Sequence, residues 1–203
     1  RRPVRCVQFN AKDTHVAVGH EGGEMNIISV LQSTAVESLR PAGDVIAANV
    51  VRHSPMIPSA VATAYQDGSV FVWDTKRGRA IVSEYGAHSG SSCEGVCFSE
   101  SNRRVLRSAG GNEILTLDMG DAGVTNRVEV KGKSFTSICS SGERDEVVLV
   151  GTDKGEVLTI DLRMGGVVQS TMSVSSSSQG GRGGGGGGHV RWISRRRRRG
   201  SGK

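Results

Sequence analysis

Aromatic residues make up 4% of the 203 residues, and prolines number four. Set beside 29 glycines, this scarcity favours many short strands joined by turns over a helical bundle. No apolar run approaches the roughly 18 residues that cross a bilayer, and no Asn-x-Ser/Thr acceptor occurs. The expectation is a soluble, intracellular protein. The chain opens at Arg1 without a methionine or a signal-peptide pattern, so an upstream extension is expected. The cysteines, Cys6, Cys93, Cys97 and Cys139, contain no Cys-x-x-Cys pair and no flanking histidine at zinc spacing. No metal or other cofactor is expected; most of these cysteines fall in strand-like runs, where a free thiol behaves as a small buried hydrophobe.

Catalytic patterns are equally scarce. There is no Gly-x-Ser-x-Gly elbow. His20-Glu21 with Glu24 superficially suggests a zinc-peptidase helix, but Gly22-Gly23 breaks any helix and no second histidine follows at the required spacing. The Gly180 to Gly188 run has no strand before it and no Lys-Ser/Thr at its end, so it reads as a linker rather than a phosphate cradle. His15 and His53 stand alone. With no catalytic constellation, a non-enzymatic protein is expected.

The formal net charge of +6 is unevenly placed. Residues 181–203 hold eight basic residues and no acidic one, leaving the first 180 residues slightly acidic. Any nucleic-acid argument therefore concerns the tail, where Arg195 to Arg199 could bind phosphates in a salt-sensitive way. No aromatic stacking platform accompanies that run. A smaller basic cluster, Arg103, Arg104 and Arg107, sits at a loop and strand start and is a candidate interaction site.

What the chain does contain is a recurring hairpin. In Val61 to Gly78, Val61, Thr63 and Tyr65 alternate with smaller residues, Asp67-Gly68 suits a two-residue turn with positive φ, and a β-branched and aromatic run ends in Trp73-Asp74. Turns of this kind recur at Glu21-Gly22-Gly23, Gly110-Gly111-Asn112 and Asp153-Lys154-Gly155. Gly23, Gly68, Asn112 and Gly155 are spaced by 45, 44 and 43 residues, close to the roughly 40 to 45 of a WD repeat.

Each repeat offers three strands and a fourth in the connection to the next. The inner strands are expected at Val4 to Phe9, Ile46 to Val51, Gly95 to Phe98 and Phe135 to Cys139. Second strands follow at His15 to Val18, Ala60 to Ala64, Val105 to Ser108 and Val147 to Val150. Third strands follow at Met25 to Val30, Val70 to Trp73, Ile114 to Leu117 and Val157 to Ile160, and outer ones at Val36 to Leu39, Ile81 to Tyr85, Val128 to Val130 and Val167 to Thr171.

The Trp-Asp pair weakens to Leu117-Asp118 and Ile160-Asp161 and is replaced by Ile28-Ser29 in the first repeat. The apolar member should pack between blades, and the aspartate should accept hydrogen bonds at the strand end. His88 precedes an inner strand, where such repeats bond a histidine to the turn aspartate of the same blade; here Asn112 and Glu113 stand near that turn. The repeat signature is thus Asp67, Gly68, Trp73, Asp74, His88, Asp118, Asp153, Gly155 and Asp161. The expected fold is an all-β, partial WD-repeat β-propeller of about four blades over residues 1–171, with a low-complexity basic tail over 172–203. In that tail His189 to Ile193 reads equally as a vestigial inner strand of a fifth repeat or as a mistranslated end. An open arc of blades leaves uncovered edges and faces, so the isolated chain is expected to be poorly stable.

Beyond the general pattern, Pro3 to Val7, Gly68 to Asp74 (GSVFVWD), Glu94 to Ser99 (EGVCFS), Ile114 to Asp118 and Lys154 to Met164 (KGEVLTIDLRM) stand in an order that resembles the NEDD one family of WD-repeat proteins. The resemblance covers roughly Arg1 to Thr171. It implies a non-enzymatic adaptor that targets the gamma-tubulin ring complex to centrosome and spindle, with protein partners and no small-molecule substrate or membrane. In that family the propeller directs localisation and a C-terminal helical region engages the nucleator; this chain resembles the propeller portion. The alternative is a generic WD-repeat scaffold in nuclear RNA or chromatin assembly, with the arginine tail as its motivating feature.

Overall fold

The computed structural model describes residues 2–43, 46–142 and 144–173. His189 to Ile193 and the arginine run of the tail lie outside the described residues. Within them the chain is all-β: four antiparallel sheets of four strands each, every sheet a meander in which neighbours in sequence are neighbours in space. This arrangement is compatible with a β-propeller-like fold.

The first sheet comprises β1 (Val4–Phe9), β2 (His15–His20), β3 (Met25–Ser29) and β4 (Thr34–Leu39). The second comprises β5 (Ala48–His53), β6 (Ala60–Tyr65), β7 (Val70–Asp74) and β8 (Arg79–Glu84). The third holds β9 (Cys93–Phe98), β10 (Val105–Gly110), β11 (Glu113–Asp118) and β12 (Gly123–Glu129), and the fourth β13 (Phe135–Ser140), β14 (Val147–Thr152), β15 (Glu156–Asp161) and β16 (Val167–Ser173). A single 3-10 turn, Leu162–Met164, precedes β16.

Sheets pack side by side in chain order, with β1 against β5, β5 against β9 and β9 against β13. Three apolar layers hold them. Between sheets one and two lie Ala17, Met25, Ile27 and Leu39 facing Val51, Val61, Tyr65, Phe71 and Trp73. Between two and three, Ala62, Ala64, Val70 and Val72 meet Val96, Phe98, Leu106, Leu115 and Leu117. Between three and four, Ala109 and Ile114 meet Phe135, Ile138, Val150, Leu158 and Ile160. Each large side chain buried this way contributes about 1.5–3 kcal/mol.

This layering explains the reading of Val61 to Tyr65. All six residues of β6 are buried, because the strand is covered on both faces: the large residues point to sheet one and the alanines to sheet three. Two hairpins and one strand boundary depart from, or refine, the sequence expectation. At Asp67-Gly68 only Gly68 takes positive φ, at 82°. Gly68 N–H donates to Tyr65 O at 3.1 Å, so Gln66 and Asp67 are the central residues and Gly68 is the left-handed bulge position after them. The third turn is shorter. Gly110 pairs directly with Glu113, and Gly111 rather than Asn112 takes positive φ. The inner strand of sheet two runs over Ala48–His53, two residues later than expected, since Arg52 and His53 pair with Ala62 and Val61.

Gly68 is held from outside as well as by its dihedral. A Cβ there would lie 2.5 Å from Ser91 O and 2.8 Å from His88 O, both backbone atoms that move only with their loop. Gly68→Ala should therefore cost about 2 kcal/mol of stability, combining positive φ with the clash. A thermal melt showing no change would contradict this.

Candidate functional site

One irregularity recurs in the same place in all four sheets. The pairing of first and second strands slips between Val4 and Cys6, between Ala48 and Val50, and between Phe135 and Ser137, and in sheet three Gly110 pairs with Cys93 while Ala109 pairs with Gly95. The extra residues are Arg5, Asn49, Glu94 and Thr136. A bulge re-aims its side chain out of the pleat, and all four residues line one cavity of about 590 Å³ bounded by the inner strands of the four sheets. Arg52 shares the wall. Asn49 is fixed by Nδ2–H donating to Ser92 Oγ at 2.7 Å and to Cys93 O at 3.2 Å. The lining is polar, with an exposed guanidinium and a half-buried carboxylate. It suits hydrogen bonding to a peptide segment or loop.

A second groove of about 410 Å³ lies between the first and second sheets, lined by Lys12, His15, Val36, His53, Pro58 and Lys76 among others. His53 N–H donates to Gln8 Oε1 at 2.7 Å, linking the two inner strands. Burial, reinforced by neighbouring His15, pushes the His53 imidazole down to about 4.

The repeat signature residues serve the frame. Trp73 is buried, stacks on Phe71 with ring centroids 5.4 Å apart, and belongs to the layer between sheets one and two. Asp74 Oδ1 accepts from Lys76 N at 3.0 Å. Asp118 Oδ1 accepts from Gly120 N at 2.6 Å and from Arg104 Nε at 3.2 Å. Asp161 accepts from Arg163 N at 3.0 Å, from Arg163 Nη2 at 2.7 Å and from Gln169 Nε2 at 3.2 Å. Those bonds hold Asp118 and Asp161 below the usual carboxylate range, the Gly120 N–H acting most strongly on the first and the Arg163 side chain on the second. Asp67 Oδ1 accepts from Ser69 N at 3.0 Å. Asp153 is exposed in the β14–β15 turn, and Gly155 there has φ 73°.

His88 is fully buried. Its Nε2 pairs with Ser108 Oγ at 2.9 Å, on the second strand of the sheet that follows it. The partner expected from the repeat pattern is a turn carboxylate; Glu113 is the nearest to Nδ1, at 3.9 Å, and makes no hydrogen bond to it. Glu113 instead accepts from Arg127 Nη1 at 2.5 Å. Burial, with the Arg127 charge second, pushes His88 down to about 4.

The folded state therefore keeps His53 and His88 neutral at pH values where the unfolded chain already takes up protons, near the ordinary 6.5. Their contribution to stability is complete above pH 6.5 and is lost as pH falls toward 4. The melting temperature should drop through that window, and His88→Gln should flatten the dependence. A melt unchanged between pH 7 and 4.5 would contradict the assignment.

Arg103, Arg104 and Arg107 do not form one surface. Arg103 is exposed on the β9–β10 loop, while Arg104 is tied to Asp118 at 3.1 Å and faces Asp121 at 3.7 Å. Arg107 is 4% exposed, pointing into the sheet three to sheet four boundary with Nη1 3.6 Å from Asp145 Oδ1. Asp145 also accepts from Ser99 Oγ. Arg103 and Arg104 are both exposed, Arg104 with its guanidinium beside two carboxylates, whereas Arg107 is buried.

No family model matches the chain. Among the described residues no cluster of three or more metal-ligating side chains occurs, and no helix is long and apolar enough to cross a membrane. Burial raises the thiols of Cys93 and Cys97 to about 12 and that of Cys6 to about 11. They are held protonated at neutral pH and are poor nucleophiles. The sequence reading did not anticipate Arg5, Asn49, Glu94 and Thr136. The signal was available only as a position 17 to 19 residues before each turn glycine, one residue per inner strand, with no shared chemistry.

Proposed function

We propose that this chain is part of a WD-repeat β-propeller and acts as a non-enzymatic protein-interaction scaffold, recruiting the gamma-tubulin ring complex to centrosome and spindle for microtubule nucleation. The observation that carries the scaffold reading is the division of labour among side chains. Apart from the exposed Asp153, the signature residues are taken up by packing and turn capping, while Arg5 at the cavity and Lys12 and Arg103 on the loops are exposed. The microtubule assignment rests on the resemblance of GSVFVWD, EGVCFS and KGEVLTIDLRM to the NEDD one family. Under it the chain supplies localisation, at the centrosome and spindle pole of the dividing cell.

A fluorescent fusion followed through mitosis tests this. Enrichment at spindle poles is the expected result. Diffuse or purely nuclear signal throughout overturns the reading. The five consecutive arginines favour a second reading, a scaffold in nuclear RNA or chromatin assembly. Under that reading RNA binding is salt-sensitive and disappears when residues 180–203 are deleted.

A further inference from the structure

We propose that the groove between sheets one and two is a docking site for an extended peptide segment of a partner protein in which aliphatic and acidic residues alternate. The inference rests on the scaffold reading and narrows it to one surface and one class of partner.

Its basis is a comparison of two boundaries inside the molecule. Strand register makes five positions of the first boundary equivalent to five of the second: His15 to Ala60, Val36 to Ile81, Glu37 to Val82, His53 to Phe98 and Thr75 to Met119. At the second boundary all five are apolar and belong to one packed cluster, with Ala60, Val82, Phe98 and Met119 no more than 8% exposed. At the first boundary all five line the groove. Four of them are polar or charged, and the fifth, Val36, is 47% exposed. The same frame is plugged at one boundary and open at its neighbour. Both walls of the groove come from described sheets. A sheet ahead of β1 would pack on the opposite face of sheet one, where Val7 lies, and a sheet beyond β16 would lie past sheet four.

The lining chemistry selects the occupant. Both ring nitrogens of His53 are buried without a hydrogen-bond partner. A neutral imidazole carries one donor and one acceptor, and a main-chain amide laid against it offers the matching pair. Ile27, Val36 and Pro58 supply apolar contact. Lys12 in the β1–β2 turn and Lys76 in the β7–β8 turn are exposed, and among the described residues neither makes an ion pair. They outnumber Glu37, the carboxylate that β4 adds to the lining. Side chains of an extended segment alternate in direction, so aliphatic residues at every second position reach the apolar surface while the carboxylates between them turn to the lysines. The volume of about 410 Å³ falls within the roughly 300–1,000 Å³ of ligand clefts. The chain's own tail has the wrong sign, with eight basic residues and no acidic one over 181–203.

NMR titration of the full 203-residue chain with the capped peptide acetyl-Gly-Leu-Asp-Leu-Asp-Leu-Gly-amide tests the proposal. The Val36 methyl and His53 ring signals should shift and saturate by about 1 mM peptide. The same peptide with lysine in place of aspartate should leave them unmoved. Lys12→Glu combined with Lys76→Glu should weaken binding about tenfold. His53→Phe combined with Thr75→Met, which copies the second boundary, should close the groove and abolish binding with the β-sheet circular dichroism intact. If that core change fails to fold, the lysine variants, both on exposed turns, carry the test. No shift with the acidic peptide, or equal shifts with the basic one, overturns the proposal. So do Overhauser contacts from Val36 to Trp192 or Ile193 in the free chain, which make the tail the occupant, and concentration-dependent shifts without peptide, which make it a second copy. The scaffold reading survives each of these outcomes, because spindle-pole enrichment of the fusion tests it separately.

Discussion

Replacing Phe71 by alanine should lower the unfolding free energy by about 4 kcal/mol, the cost of deleting a large ring from a closed core. Phe71 is 1% exposed on the face of β7 that meets sheet one. It stacks on Trp73, meets Tyr65 edge-on at 5.6 Å and Tyr85 edge-on at 5.0 Å, each such pair adding about 0.5–1.5 kcal/mol beyond burial. In a chain with so few aromatics, these four rings are concentrated in one sheet. Loss of the Phe71 ring leaves a cavity beside the Tyr65, Trp73 and Tyr85 rings, whose anchoring in paired strands keeps them from collapsing into it. Urea titration should show the midpoint falling with little change in slope, and a loss under 1 kcal/mol would mean that sheets one and two do not pack as described.

Asp145→Ala should cost about 3 kcal/mol, because it strands a buried charge. Arg107 comes from the middle of β10 and ends 3.6 Å from Asp145 across the boundary between sheets three and four. Its side chain is 5% exposed, against 17% for Asp145. Removing the carboxylate leaves the guanidinium buried beside the raised Cys97 thiol, with no compensating charge and with Ser99 deprived of its acceptor. Replacing both partners, as Arg107→Met with Asp145→Leu, should recover most of the loss, since a buried pair is often no better than a well-packed apolar one. A double variant as unstable as Asp145→Ala would refute the electrostatic account.

The turn glycines made the repeat legible. Gly23, Gly68 and Gly155 each take positive φ, and their spacing, with Asn112 in the third repeat, marked the register into which the β-rich runs fall. The strand ends were harder. Arg52 and His53 look like loop residues by type, yet they complete β5, because Arg52 lines the cavity and the His53 backbone N–H donates to the Gln8 side chain of the neighbouring inner strand. Ile46, expected in that strand, is 50% exposed before it. The arginine cluster failed for a related reason. A strand covered on both faces shows no apolar alternation, so nothing in the sequence distinguished Arg107, facing inward, from Arg103. His88 was legible as a structural residue, but its partner was not: Ser108 lies twenty residues on and becomes adjacent only through the pairing of β9 with β10.

The central structural claim is that four repeat sheets stand side by side in chain order through their inner strands. Nuclear Overhauser effects test it most directly at two close approaches. Gly19 abuts Val51 across the first boundary, and Gly95 abuts Ile138 across the third, where a Cβ would lie 3.1 Å from the Ile138 Cγ2. Cross-peaks from the Gly19 α-protons to a Val51 methyl and from the Gly95 α-protons to the Ile138 methyl are the result this arrangement requires. Well-resolved spectra lacking both, with these glycines contacting only their own hairpins, would contradict it.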